Sequence, residues 1–114
     1  MKIEQLINQI KNNPVSIEFQ QVMEAIDQNY NYTPARFING DVVNENRTNE
    51  GSCKIFAFGQ LNNLTEQETL TCFGSYYRED VLMNPDGTDH ANIRTFIRQG
   101  WDGIQFDSPA LTEK

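Results

Sequence analysis

The sequence predicts one α+β domain, in which about five helices surround a small antiparallel sheet whose strands can be strongly curved. Apolar residues recur at helical spacings of three and four along several segments. The pair Asn39-Gly40 lies between apolar flanks, a pattern typical of a β-hairpin. The chain of 114 residues contains no repeat, low-complexity tract or linker. We therefore predict a single domain over residues 1–114.

Two helices are expected at the start of the chain. The spacing of Ile3, Leu6, Ile7 and Ile10 predicts an amphipathic helix over residues 3–12, which ends before Pro14. Ser16 is a suitable N-cap for a second helix. The apolar stripe of that helix would comprise Phe19, Val22, Met23, Ile26 and Tyr30. The short connection predicts that the two helices lie roughly antiparallel.

Strands are expected on either side of Asn39-Gly40 and near the end of the chain. The predicted hairpin pairs residues 35–38 with residues 41–43, and the stretch 103–106 would pair with 35–38. Pro34 restricts the first of these strands to a sheet edge, or else begins it. Residues 44–51 show no apolar periodicity and are expected to form a loop.

Three further helices are predicted. Residues 52–62 are apolar on nearly every side, which indicates a buried central helix. Thr65 and Glu68 form a capping box that opens a helix extending to Val81. Thr88 or Asp89 is expected to cap the last helix, which Gly100 ends. The residues expected to point inward from these last two helices are Leu70, Phe73, Tyr77, Val81, Ile93, Phe96 and Ile97.

Composition excludes several classes of partner. Nine basic and sixteen acidic residues give a net charge of −7 and a pI near 4.5. Such a surface repels phosphate backbones and anionic bilayers, so neither a nucleic acid nor a membrane is expected as a partner. Cys53 and Cys72 lie in apolar segments with no secretory signal before them. We expect both to be reduced thiols in a cytoplasmic protein.

Several runs of residues resemble the HopJ-type family of small bacterial proteins, over about residues 3 to 111. The most distinctive are GSCK (51–54), CFG (72–74), YYR (76–78), DVL (80–82) and NIR (92–94). The family is labelled as type III secretion effectors and has no established catalytic residues. The resemblance therefore implies secretion and a host-protein partner as one alternative. Against this, the helical pattern begins at Ile3 and leaves no mobile leader, so a cytoplasmic role is expected.

The start of the central helix is the best candidate for a ligand site. Gly51 and Ser52 would supply free backbone N–H groups at the positive end of the helix dipole, and Lys54 adds a positive charge. This combination is suited to a phosphate or a carboxylate. The alternative is that Asn49 or Ser52 caps these donors and Gly51 only makes the turn. The phosphate-loop pattern itself is absent.

Other reactive side chains are weaker candidates. Cys53 near a helix start would have a lowered pKa and act as a nucleophile, with His90, the one histidine, as its base. Arg78 or Arg94 would clamp a carboxylate, unless acidic neighbours such as Asp89 pair with them. Asp86, Asp89 and His90 offer too few ligands to predict a metal. No metal or cofactor is expected, and the sequence does not predict an oligomeric state.

Three functions remain open at this point. The first is binding of a small anionic molecule in a polar pocket near residues 49–54 and 86–94. The second is a secreted effector that binds a host protein. The third is a cysteine-dependent enzyme, for which Cys53 and His90 are the candidate catalytic residues.

Overall fold

The computed structural model describes all residues from Met1 to Lys114 and confirms the α+β class. A π-helical segment follows the fourth of five α-helices, and five short strands complete the fold. The helices are α1 (Ile3–Asn12), α2 (Phe19–Asn29), α3 (Glu50–Leu61), α4 (Glu66–Thr71), the π-helical segment (Tyr76–Val81) and α5 (Ala91–Gln99). The strands are β1 (Tyr30–Tyr32), β2 (Phe37–Asn39), β3 (Val42–Asn44), β4 (Ile104–Phe106) and β5 (Leu111–Glu113).

The predicted antiparallel sheet is present, with strand order β3-β2-β4. Asn39 pairs with Val42 across the hairpin and with Ile104 on the other side. Strand β2 is therefore central, and the expectation that Pro34 makes it an edge strand, or begins it, is wrong. Because β2 begins only at Phe37, Pro34 lies outside the ladder and interrupts no hydrogen bond.

A second, two-stranded sheet was not expected from the sequence. Strands β1 and β5 pair antiparallel, with Tyr30 opposite Glu113 and Tyr32 opposite Leu111. Tyr30, expected on the stripe of α2, instead begins β1 and is buried. Strands of three residues are too short to show a reliable alternation, and their pairing joins distant parts of the chain.

Two helices begin later than predicted. Ser16 lies in a 3₁₀ turn, Pro14–Ser16, and α2 begins after Glu18 instead. Helix α5 begins after His90, which has a φ of 53° and a ψ of 52°, so neither Thr88 nor Asp89 is its N-cap. At α2 the backbone N of Glu18 donates to Gln21 Oε1 at 3.4 Å, so Glu18 takes the capping position that was expected for Ser16.

The helix predicted from Thr65 to Val81 is divided in two. Its capping box is confirmed, because Glu68 N donates to Thr65 Oγ1 at 3.1 Å and Thr65 N donates to Glu68 Oε1 at 2.9 Å. Helix α4 ends at Thr71, and the turn that follows contains Gly74, whose φ is +60°. A Cβ there would lie 2.7 Å from the backbone N of Phe19. Glycine thus allows both the break and the close contact with α2.

Helix α3 lies at the centre of the core, as predicted. The ring of Phe56 packs against four aromatic rings, those of Phe37, Phe73, Phe96 and Trp101, at centroid separations of 4.9 to 6.4 Å. Ile97 was expected in the core but is 45% exposed. None of the helices combines the length and apolar character needed to cross a bilayer.

Candidate functional site

The starts of α3 and α5 face one cleft of about 340 Å³. This volume lies at the lower end of the range of small-molecule pockets. Its polar lining comes from Asn49, Gly51 and Ser52 on one side and from His90 and Asn92 on the other. The remaining lining residues are apolar or aromatic: Phe19, Val42, Phe73, Tyr76, Ala91 and Ile93. Two segments remote in sequence, 49–52 and 90–93, therefore meet here.

Both helices begin in the same unusual way. Asn49 before α3 and His90 before α5 are left-handed, with φ of 50° and 53°, and no side chain caps either helix. The first-turn N–H groups of a helix have no partner within the helix. A left-handed residue followed by helical residues points successive N–H groups into one concavity that suits an anion. Capping by Asn49 or Ser52, the alternative considered from the sequence, is not what the structure contains.

An aromatic wall stands next to these helix starts. The rings of Phe19 and Tyr76 pack edge to face at 5.1 Å, and the rings of Tyr76 and His90 lie 5.2 Å apart. Gly51 allows Phe19 to approach α3 closely, because a Cβ at Gly51 would lie 2.6 Å from Cζ of that ring. The cleft thus combines N–H donors with an apolar surface.

Four asparagines behind the cleft connect its walls. Asn92 Nδ2 donates to Asn44 Oδ1 at 2.9 Å, and Asn44 Nδ2 donates to Asn92 Oδ1 at 3.1 Å. Asn49 Nδ2 donates to Asn44 Oδ1 at 2.7 Å, and Asn39 Nδ2 donates to the Asn92 backbone oxygen at 2.9 Å. This asparagine cluster holds the starts of α3 and α5 against the three-stranded sheet. Sequence reasoning missed it, although Asn39 and Asn44 each end a strand beside apolar residues.

The cationic side chains expected at the site have partners elsewhere. Lys54 Nζ lies 2.9 Å from Asp27 Oδ1 and 4.8 Å from the centroid of the Tyr32 ring. Arg78 Nη1 donates to the Ile17 backbone oxygen at 2.8 Å. Neither side chain lines the cleft. The expected cluster therefore forms only in part, from Asn49, Gly51, Ser52 and His90.

Arg94 and Asp89 pair with each other beside the cleft rather than lining it. Arg94 Nη2 donates to Asp89 Oδ1 at 2.6 Å, and Nη1 donates to the Asn84 backbone oxygen at 2.8 Å. The hydrogen bond from Arg94 lowers the pKa of the Asp89 carboxyl. The ion pair considered as the alternative for Arg94 is thus the one present, and it leaves no free guanidinium for a ligand.

Cys53 and His90 do not form the nucleophile–base pair considered from the sequence. Cys53 is buried, and its Sγ contacts the Ala35 backbone oxygen at 3.8 Å. Burial raises the pKa of the Cys53 thiol, although a lowered pKa was expected. His90 Nε2 instead lies 3.0 Å from Asp80 Oδ2. Loss of hydration is the largest cause of the rise in the pKa of Cys53, and it outweighs the opposite effect of the hydrogen bond to the Ala35 backbone.

Asp80 adds a third donor to a group that the sequence showed only in part. Donor atoms of Asp80, Asp89 and His90 all lie within 4.8 Å of one another, and His90 also lines the cleft. Asp86, which the sequence placed with Asp89 and His90, is not one of the three. A turn brings Asp80 close to His90 although the two lie ten residues apart in the sequence. The three donors therefore form no short sequence motif.

Residues 3–111 match the family described as HopJ type III effector protein. This match covers nearly the whole chain. The chain belongs to the HopJ family. The resemblance seen in the sequence is therefore confirmed, whereas the word effector is the description of the family and not a property measured on this chain.

A solved structure is very similar to this HopJ-family protein. It is described as "Crystal structure of unknown function protein VPA0580" and is 51% identical in sequence. It superposes with a TM-score of 0.98, and the alignment covers 100% of this chain and 95% of the other. None of the curated proteins matches the chain. The comparisons therefore support the fold and the family but name no ligand or reaction.

Proposed function

We propose that this HopJ-family protein binds a small organic anion in the cleft between the starts of α3 and α5. One observation carries the proposal: two helix N-termini without side-chain caps face the same cleft. Each N-terminus has a partial positive charge of about half an elementary charge. A carboxylate or phosphate between them would accept hydrogen bonds from both sets of N–H groups.

The electrostatics of the lining favour an anion locally. No acidic side chain lines the cleft, although the protein carries a net charge of −7. Helices α3 and α5 contain twelve and nine residues, enough for the peptide dipoles to add along each axis. The acidic surface elsewhere slows the approach of anions, which favours a small ligand over a polyanion.

The apolar side of the cleft defines the rest of the ligand. Phe19, Phe73 and Tyr76 present aromatic surface next to the N–H donors. A ligand with a flat or apolar body and one anionic group would bury its body against these rings while the anion contacts the helix starts. Inorganic phosphate would contact the N–H donors but not the aromatic rings, so we expect it to bind more weakly than an aromatic carboxylate.

Thermal unfolding in the presence of carboxylate and phosphate metabolites tests the proposal. A ligand at 100 times its Kd stabilises the folded state by about 2.7 kcal/mol, which shifts the Tm measurably in a domain of this size. If no carboxylate or phosphate metabolite in the screen raises the Tm, the proposal is contradicted. The screen also yields the compound needed for the next step.

A pair of substitutions at Ser52 then locates the site. Ser52→Glu places a carboxylate in the first turn of α3, where the dipole favours it, so the fold should keep its stability while the anion is repelled. Ser52→Gln is the matched control of similar size without charge. We expect Ser52→Glu to lose the ligand-induced shift and Ser52→Gln to retain most of it. Equal shifts in both variants would place the ligand elsewhere.

The family description favours a second candidate, an effector that binds a host protein after type III secretion. A reporter fused to the C-terminus, expressed in a strain with an active type III system and in a matched secretion-deficient strain, distinguishes the two. Transfer that depends on the system supports the effector. Retention in both strains supports a cytoplasmic role. A cysteine-dependent enzyme has less support, because the Cys53 thiol is buried and its pKa is raised.

A further inference from the structure

We propose that Asp80, Asp89 and His90 form a binding site for a divalent transition-metal cation at the rim of the cleft. His90 Nε2 lies 3.0 Å from Asp80 Oδ2 and 3.8 Å from Asp89 Oδ2. All three donor atoms lie within 4.8 Å of one another. This proposal goes beyond the anion site and does not depend on it.

Two of the three donor separations are close to those that a metal requires. Zinc–nitrogen and zinc–oxygen bonds of about 2.1 Å in a tetrahedral arrangement place neighbouring donors about 3.4 Å apart. The distances from His90 Nε2 to the two carboxylates, 3.0 and 3.8 Å, lie on either side of that value. The Asp80 carboxylate is about half exposed and can rotate without disturbing the core. Rotation of Asp80 toward Asp89 is therefore the movement that metal binding would require.

Neighbouring groups orient two of the three donors. The ring of His90 packs against Tyr76, with its centroid 5.2 Å away. Arg94 Nη2 donates to Asp89 Oδ1 at 2.6 Å, which leaves Oδ2 as the oxygen that faces His90. Hydrogen bonds of this kind to a ligating carboxylate are a common feature around metal centres. Arg94 is thus a positioning residue for the site.

The donor set indicates the class of metal. One imidazole nitrogen with two carboxylate oxygens suits Zn²⁺, Co²⁺, Mn²⁺ or Fe²⁺, whereas Ca²⁺ and Mg²⁺ prefer oxygen ligands alone. Two carboxylates with one guanidinium leave a local charge of −1 when His90 is neutral. The positive end of α5 opposes a cation, so we expect weaker binding than at a closed four-ligand site.

The site is tested by titrating the untagged protein with Co²⁺ and recording the absorption spectrum. Calorimetry with Zn²⁺ then measures the affinity and the number of metal ions bound per chain. Because His90 is the only histidine in the chain, any imidazole ligand detected on the metal must be His90. We expect saturable binding of one metal per chain. No saturable binding of either metal would overturn the proposal, and so would a sulfur-to-cobalt band, which would place the metal on a cysteine.

Three variants assign the ligands. His90→Asn keeps a residue type that tolerates the left-handed backbone, so the start of α5 is preserved. We expect His90→Asn and Asp80→Asn each to weaken Zn²⁺ binding at least tenfold. Asp86→Asn is the matched control, an exposed neighbour outside the group, and should bind as the unmodified protein does. Equal binding by all three variants would overturn the assignment. Circular dichroism and thermal unfolding without metal check that each variant is folded. If His90→Asn does not fold, Asp80→Asn provides the test.

Discussion

Asn44 at the end of β3 and Asn92 in the first turn of α5 exchange a pair of hydrogen bonds, at 2.9 and 3.1 Å. Both side chains are buried, and Asn49, the residue before α3, adds a third hydrogen bond to Asn44 at 2.7 Å. One side chain of the sheet thus connects the starts of both helices that face the cleft. Buried amides form such contacts only in one relative arrangement, which makes the cleft a defined shape.

Removing the amide of Asn92 should therefore destabilise the protein. Asn92→Ala leaves buried polar atoms of Asn39 and Asn44 without their side-chain partner, which costs about 1–3 kcal/mol. Chemical denaturation followed by circular dichroism measures the loss. Asn12→Ala is the control, because Asn12 is exposed and bonds only to Asn8 on its own helix. A loss no larger than that of the control would show that the asparagine cluster contributes little.

Gly74 should tolerate no side chain. Gly74→Ala combines a left-handed backbone, which costs about 1–2 kcal/mol for a residue with a Cβ, with a contact 2.7 Å from the backbone N of Phe19. A decrease in Tm of at least about 4–8 °C is expected for a domain of this size. The neighbouring substitution Ser75→Ala, at a residue with a helical backbone, should change the Tm by much less. Similar Tm values for the two variants would refute the packing role of Gly74.

The charge of Glu68 should stabilise the protein in a pH-dependent way. The hydrogen bond from the Thr65 backbone lowers the pKa of the Glu68 carboxyl below its ordinary value of 4.5. The stabilisation is therefore complete above that value and is lost as the pH falls through the lower pKa of the folded state. Glu68→Gln should cost about 0.3–1 kcal/mol at pH 7, and this difference should disappear in acid.

Urea denaturation at a series of pH values measures the effect of Glu68. Glu24→Gln serves as the control, because the side chain of Glu24 is exposed and makes no hydrogen bond or salt bridge in the structure. A difference between Glu68→Gln and the unmodified protein that persists unchanged into acid would contradict the electrostatic origin.

Both thiols should react slowly with an electrophile in the folded protein. Cys53 and Cys72 are buried and unpaired, and burial raises the pKa of both, that of Cys72 to about 12. Reaction then requires local opening, so we expect rates more than about 100-fold below those in denaturant. Mass spectrometry of peptides after timed alkylation follows each thiol separately. Rapid labelling of Cys53 with Cys72 protected would revive the thiol-enzyme function.

The features that the sequence predicted correctly are local ones. Apolar spacing located α1, and Thr65 with Glu68 located the start of α4. The Asn39-Gly40 pair located the hairpin to within one residue, because Asn39 ends β2 and the turn consists of Gly40 and Asp41. In each case the residues that decide the structure lie within a few positions of one another, so the backbone geometry follows from neighbouring side chains. The buried character of α3 also follows locally, because it has no polar face.

Features that depend on contacts between distant segments escaped prediction. The close approach of Gly74 to the backbone of Phe19 in α2 joins segments far apart in the chain, and β1 exists because β5 returns to it from the other end of the chain. Lys54, Arg78 and Arg94 are the right residue types for an anion site, yet their nearest acceptors lie elsewhere. The sequence contains each charge but not its distance to a competing partner.

The sequence by itself determined the α+β class and the HopJ family, and it led to the hypothesis of one polar pocket near residues 49–54 and 86–94. Only the tertiary structure decided which residues of those two segments line the cleft, that Cys53 and His90 have different partners, and that Asp80 joins Asp89 and His90. The reason is physical: helix starts and hairpins follow from interactions between near neighbours in the chain. A cleft or a set of metal donors depends on how whole elements pack.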